Sequence, residues 1–164
     1  MEEQGESTFK AFYYAEYVRV FRATYLFSGD REVAFDATQE AFKDALVRWR
    51  SLEETTWVGA WVMTVAMNRC RRQWRQRKRE QTALRKSESG KHTSLDPASE
   101  TSVDLIAALQ RLPARQRQAT ILYYIADLPI PVVAERMGLH EGSVKAHLAQ
   151  ARKRLRNLME VRHV

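Results

Sequence analysis

The sequence predicts an all-α protein of two small helical domains joined by a flexible linker, the second domain containing a helix-turn-helix. Three observations predict it. Apolar residues recur at steps of three and four on both sides of the middle, as one face of a helix requires. No stretch alternates convincingly in the manner of a strand. Residues 82–102, TALRKSESGKHTSLDPASETS, follow neither pattern and are dominated by Ser, Thr, Gly and Pro, as a linker is. The chain thus divides into 1–81, 82–102 and 103–164.

Each element has its own signal. Phe9, Phe12, Tyr13, Tyr17, Val20, Phe21 and Thr24 mark one face of a helix from Thr8 to Phe27. Ser28-Gly29-Asp30 breaks it, with Gly29 as a C-terminal cap and Asp30 as the next N-cap. A second helix spans Arg31 to Trp49, with Phe35, Phe42 and Trp49 as a further stripe at spacings of seven. Arg50 to Thr56 is a polar connection. A third helix runs from Thr56 to Arg79. Its first half, WVGAWVMTVAMN, is nearly all apolar and its second, RCRRQWRQRKR, nearly all basic. Beyond the linker, Val103 to Leu112 is amphipathic. Pro113 ends that helix and suits the first turn of the next, which reaches Ala126. Asp127-Leu128-Pro129 is a turn. A short helix from Pro131 to Met137 stops at Gly138, and a last one runs from Glu141 to Met159.

Composition limits the function classes. No apolar run approaches the ~18 residues of a membrane span. The acidic N-terminus, MEEQGEST, is no secretory signal. One cysteine, Cys70, excludes an intrachain disulfide and a Cys-built zinc cluster. A soluble, cytoplasmic protein is expected. The net charge is +7, and it is unevenly spread. Residues 1–68 hold 7 basic and 11 acidic side chains, 69–95 hold 10 and 2, and 96–164 hold 10 and 7. The positive excess is therefore central, as a nucleic-acid contact or a solvated basic face requires.

Within 130–155, IPVVAERMGLHEGSVKAHLAQARKRL, a short helix, a glycine turn and a longer basic helix have helix-turn-helix order. Val133, Ala134, Met137, Leu139, Val144 and Leu148 supply its small core. Ser143, Lys145, Ala146, His147, Gln150, Lys153 and Arg154 lie off the apolar face, where a second helix would meet base edges and phosphates. A plain helical hairpin with a basic surface has the same spacing. His147 has no ligand partner at metal spacing. In the third helix, Trp74 sits among basic residues, the combination that stacks on unpaired bases. Trp61 reads as core, and Trp57 fits either role. Asp36, Gln39, Glu40 and Lys43 form a polar strip near Phe42, suited to a protein partner or to solvent.

These residues resemble the extracytoplasmic-function group of bacterial RNA polymerase sigma factors. DATQEAF followed by a tryptophan is similar to region 2.2. WVGAWVMTVAMNRCRRQWRQRKR is similar to regions 2.3 and 2.4, and LPARQRQATILYYIADLPIPVVAERMGLHEGSVKAHLAQARKRL to region 4. The resemblance implies a factor that binds core RNA polymerase and makes it promoter-specific, with no catalytic residue, metal or cofactor. It implies polymerase contacts at Asp36, Gln39, Glu40 and Phe42. Minus-ten DNA, duplex and melted single strand, falls to Asn68, Arg69, Arg71, Arg72, Trp74 and Arg75, with a flipped base in the loop from Arg50 to Trp57. The minus-thirty-five element falls to Ser143 through Arg154, with Arg115 and Arg117 as phosphate or polymerase contacts. The family commonly has an anti-sigma partner.

The chain departs from the family pattern at three places. Arg72 stands where Asp is frequent, Val132-Val133-Ala134 replaces Glu-Ile-Ala, and His147 and Gln150 stand where Arg is frequent. Two other classes remain from the residues themselves. One is a polymerase-independent DNA-binding regulator. The other is a nucleic-acid-processing enzyme with a metal on Asp36, Glu40 and Asp44, which share a helical face at steps of four.

Overall fold

The computed structural model describes residues 2–84 and 100–162. Eight α-helices follow one another: α1 (Glu2–Ser28), α2 (Arg31–Val47), α3 (Trp49–Leu52), α4 (Val58–Leu84), α5 (Glu100–Gln110), α6 (Ala114–Thr120), α7 (Ile130–Met137) and α8 (Glu141–Arg162). No strand occurs among the described residues. Helices α1, α2 and α4 pack on one another as a first bundle, α6 to α8 form a second, and α5 lies between them against α1 and α8. Most of the expected linker, residues 85–99, lies outside the described residues. Its two ends are helical, since α4 continues to Leu84 and α5 begins at Glu100.

The first break forms as its residues dictate. Gly29 takes φ +70°, which only glycine adopts without strain, and its N–H donates to Tyr25 O at 2.8 Å. Asp30 caps α2, its Oδ1 accepting from the N–H groups of Glu32 and Val33 at 2.9 and 3.1 Å. Helix α2 is shorter than expected. It stops at Val47, and after Arg48 a separate turn, α3, carries Trp49. That offset swings the Trp49 ring against Phe9 and Phe12, and its indole N–H donates to Thr8 Oγ1 at 2.8 Å. Of the seven-residue stripe, Phe42 and Trp49 are buried, while Phe35 is exposed.

The apolar half of α4 fills the first bundle through Ala60, Val62, Met63, Ala66, Met67 and Cys70. Burial pushes the Cys70 thiol up to about 12 from its ordinary value near 9.0. The unfolded thiol ionises first as pH rises, so the folded state holds more protons between those values. Stability is therefore expected to fall above pH 9, by about 1 kcal/mol at pH 10. Urea denaturation of the wild type and of Cys70→Ala between pH 8 and 10 checks this. The loss should be absent in Cys70→Ala.

In the second bundle the helix expected to reach Ala126 changes gauge. After α6 the backbone widens into a π-helical turn, Ile121–Ile125, with Ala126 N–H donating to Ile121 O at 2.9 Å. The extra residue keeps Ile121 and Leu122 in the core and turns Tyr124 and Ile125 outward. Helices α7 and α8 meet at Gly138, φ +66° and ψ +36°, and Leu139 N–H closes on Ala134 O at 2.9 Å. Val133, Ala134, Met137, Val144 and Leu148 are buried between them, with Leu139 packed alongside. The helix-turn-helix is formed as its spacing predicts.

Candidate nucleic-acid interface

The basic half of α4 sorts its residues by face. Asn68, Arg71, Arg72 and Arg75 stand three or four positions apart, so they share one side of the helix. Arg72 and Arg75 are exposed, while Asn68 and Arg71 are half-buried. The Asn68 Oδ1 is buried without a hydrogen-bond partner. Arg69, expected on this DNA face, is held elsewhere: its Nη2 pairs with Asp44 Oδ2 of α2 at 2.7 Å. Trp74 also departs from expectation. Its ring stacks on Phe27, centroids 5.2 Å apart, and is half-buried rather than open to a base. The reason is the side chain that covers it, Arg117, whose guanidinium carbon lies 5.4 Å from each ring centroid. Trp57 is 45% exposed. Its φ of +62°, at the last position before α4, is strained for an L residue.

On the helix-turn-helix, α8 buries Val144, Leu148 and Ala151 and leaves Lys145, Ala146, Gln150, Lys153 and Arg154 exposed. Ser143 and His147 are half-buried, and the His147 Nδ1 is buried without a partner. Gln150 Oε1 accepts from Gln116 Nε2 at 2.9 Å, which ties this end of the face to α6. Arg115 donates to Met137 O at 2.8 Å and to Gln118 Oε1 at 3.3 Å, placing positive charge on the C-terminal carbonyls of α7. Arg117, expected as a partner contact, is 7% exposed and belongs to the interior. It donates to Leu109 O, Leu112 O and Phe27 O, each at 2.9 Å. Burial lowers its pKa to about 10, so the guanidinium stays charged at neutral pH.

On α2, Asp36 is exposed and Gln39 and Glu40 are half-buried, so this strip faces outward. Phe42 does not belong to it. It is 2% exposed and packs among Phe12, Tyr13 and Tyr17, at 5.9, 4.9 and 5.8 Å between ring centroids. The expected docking contact at Phe42 is thus a core contact. The acidic triad does not assemble into a metal site: Glu40 pairs with Lys43 at 2.9 Å and Asp44 with Arg69. Among the described residues no group of three His, Cys, Asp or Glu side chains is arranged to hold a metal. Nor is any helix there long and apolar enough to cross a membrane.

Sequence reasoning missed three side chains that join the bundles. Gln110 Nε2 donates to Phe27 O at 3.0 Å, and Arg136 Nη2 donates to Thr56 O at 3.1 Å. Arg19 donates to Ala126 O. Their partners are main-chain carbonyls of distant segments, and such a contact leaves no pattern in a sequence.

Comparison with known proteins bears on this arrangement. Residues 12–80 match the family described as Sigma-70 region 2, and residues 102–155 match Sigma-70, region 4. The chain is 29% identical over 157 residues to the RNA polymerase sigma-E factor of Streptomyces coelicolor, covering 91% of this chain and 87% of that one. It is 30% identical over 143 residues to the ECF RNA polymerase sigma factor SigM of Mycobacterium tuberculosis, covering 86% and 71%. Among solved structures it is similar to the sigma factor RpoE of Bartonella quintana, crystallised with the anti-sigma factor NepR. The TM-score is 0.80 at 26% identity, covering 94% of this chain and 98% of that one. With both regions matched in order, and with relatives of this type along most of its length, the chain belongs to the extracytoplasmic-function sigma factors of the sigma-70 family.

Proposed function

We propose that the chain binds core RNA polymerase and directs promoter-specific initiation in the cytoplasm, as a transcription factor with no reaction of its own. Its working units are residues 1–81 and 103–164, joined through 82–102. The observation that carries this reading is an exposed basic helical surface in each unit. Arg71, Arg72 and Arg75 supply the first, and Lys145, Lys153 and Arg154 the second.

The second unit holds the minus-thirty-five duplex by neutralising phosphates and by a few base-edge contacts from Ser143, Ala146, His147 and Gln150. The first unit opens the minus-ten element. Unstacking a base costs a few kcal/mol, and Asn68 together with the exposed Trp57 ring offsets that by hydrogen bonding and stacking. The Asp36, Gln39 and Glu40 strip docks on the polymerase. Both DNA sites are then tethered to one body, so each weak contact raises the effective concentration of the other. An anti-sigma factor is the expected antagonist, since NepR is bound to the similar RpoE.

Lys145→Ala with Arg154→Ala tests the placement of the reading face. Transcription from a cognate promoter should fall roughly tenfold, and the salt slope of promoter binding should drop by about two. Co-elution with core polymerase should be unchanged. Full transcription by this variant would remove α8 as the reading helix.

A further inference from the structure

We propose that Gln116 of α6 is a positioning residue for promoter specificity. It sets the side-chain amide of Gln150, on the reading helix, so that a donor rather than an acceptor meets the base edge. This role rests on the proposed function and narrows one of its base contacts to guanine.

Helix α6 packs against α8, and the two glutamines meet between them. Gln116 is 7% exposed, so its side chain is held by its surroundings. Its Nε2 donates to Gln150 Oε1 at 2.9 Å. Gln150 itself is exposed. Its oxygen is therefore turned toward α6, and its Nε2, which carries two N–H groups, is left for the DNA. The reverse setting of both amides is the competing arrangement. It would place an NH2 group, with two hydrogens, at the buried position where Gln116 Oε1 now lies without a partner. An unpaired buried N–H is rarer in proteins than an unpaired carbonyl oxygen, which favours the observed setting.

The major groove translates that setting into a base. An unrestrained glutamine reads adenine through two bonds, its oxygen accepting from N6 and its nitrogen donating to N7. The held amide cannot make that pair, because its oxygen is engaged by Gln116. Guanine presents two acceptors, O6 and N7, and Gln150 Nε2 carries donors for them. Cytosine presents only its N4 donor and is refused. The rest of the reading face is of the same kind. Lys145, Lys153 and Arg154 can only donate. The Nδ1 of His147, three residues before Gln150, is buried without a partner, so the neutral ring carries its proton on Nε2. Among these side chains only the Ser143 hydroxyl is suited to accept.

The test selects bound sequences from a pool of duplex DNA randomised across the minus-thirty-five region, using holoenzyme assembled from core RNA polymerase and the full chain. The unmodified chain should favour guanine over adenine roughly tenfold at one base pair. Gln150→Ala should level the preference at that base pair, which identifies it. Gln116→Leu removes the donor that holds the amide, and guanine at the same position should give way to adenine. Gln116→Glu supplies a carboxylate that only accepts, so Gln150 turns to donate to it and shows its oxygen outward. Adenine or cytosine, which offer amino donors, should then be favoured. A merely structural Gln116 would weaken binding to all sequences alike and move no preference. Adenine at the Gln150 base pair in the unmodified chain overturns the positioning role. So does guanine unmoved in both Gln116 variants, or a Gln150→Ala selection identical to that of the unmodified chain. If no holoenzyme recovers a motif, the proposed function fails and the positioning role fails with it.

Discussion

Phe42→Ala is expected to destabilise the first bundle by about 3–5 kcal/mol, the cost of emptying a fully packed aromatic site. The side chain touches Phe12, Tyr13 and Tyr17, which belong to successive turns of α1, so truncation leaves a cavity that α1 and α2 cannot both collapse into. Domains of this size hold about 5–15 kcal/mol in total, and the loss is a large share of it. Denaturant unfolding followed by helicity measures it. Polymerase binding would weaken in this variant only as far as the bundle unfolds. Asp36→Ala with Gln39→Ala should behave in the opposite way, with stability within about 0.5 kcal/mol of the wild type and reduced polymerase binding. If Phe42→Ala kept full stability and lost binding, Phe42 would be a docking residue and its packing role would be wrong.

Arg71→Ala with Arg75→Ala is expected to reduce promoter opening roughly 100-fold, taking about 1.5 kcal/mol for each charged hydrogen bond to phosphate lost. The two residues lie one turn apart on the face of α4 that also carries Asn68 and Arg72. Arg69→Ala should behave differently, because its partner is Asp44 and its loss is a matter of stability. Permanganate reactivity of minus-ten thymines in the polymerase complex separates the cases. The double variant should bind polymerase and leave the thymines unreactive. Normal reactivity in the double variant would move the melting surface off this face.

The comparison of α4 with α6 shows where the sequence was legible. In α4 the change from apolar to basic residues marks the end of the core, so the element could be read directly, but the inward turn of Arg69 and Trp74 within its basic half could not. The Gly29-Asp30 break and the Gly138 turn were legible for a similar reason: a positive φ and an N-cap demand particular residue types. Arg117 was not legible. An arginine is mostly exposed, and only carbonyls from Leu109, Leu112 and Phe27, up to 90 residues away, make a buried one tolerable. Trp74 was misplaced with it, since its cover is Arg117. Phe42 lies beside a polar strip in sequence, yet the turn of the helix points it at α1. The π-helical turn at Ile121–Ile125 escaped because one added residue shifts the helical phase without changing the residue types.

Run-off transcription with purified core RNA polymerase and a library of genomic promoter fragments tests the sigma-factor role of the chain most directly. Transcripts are expected only when the chain is added, from fragments that share two short motifs at fixed spacing, and they should be lost in the Arg71→Ala, Arg75→Ala double variant. Transcripts no different from those of core polymerase alone, with no co-elution of the two, would contradict it.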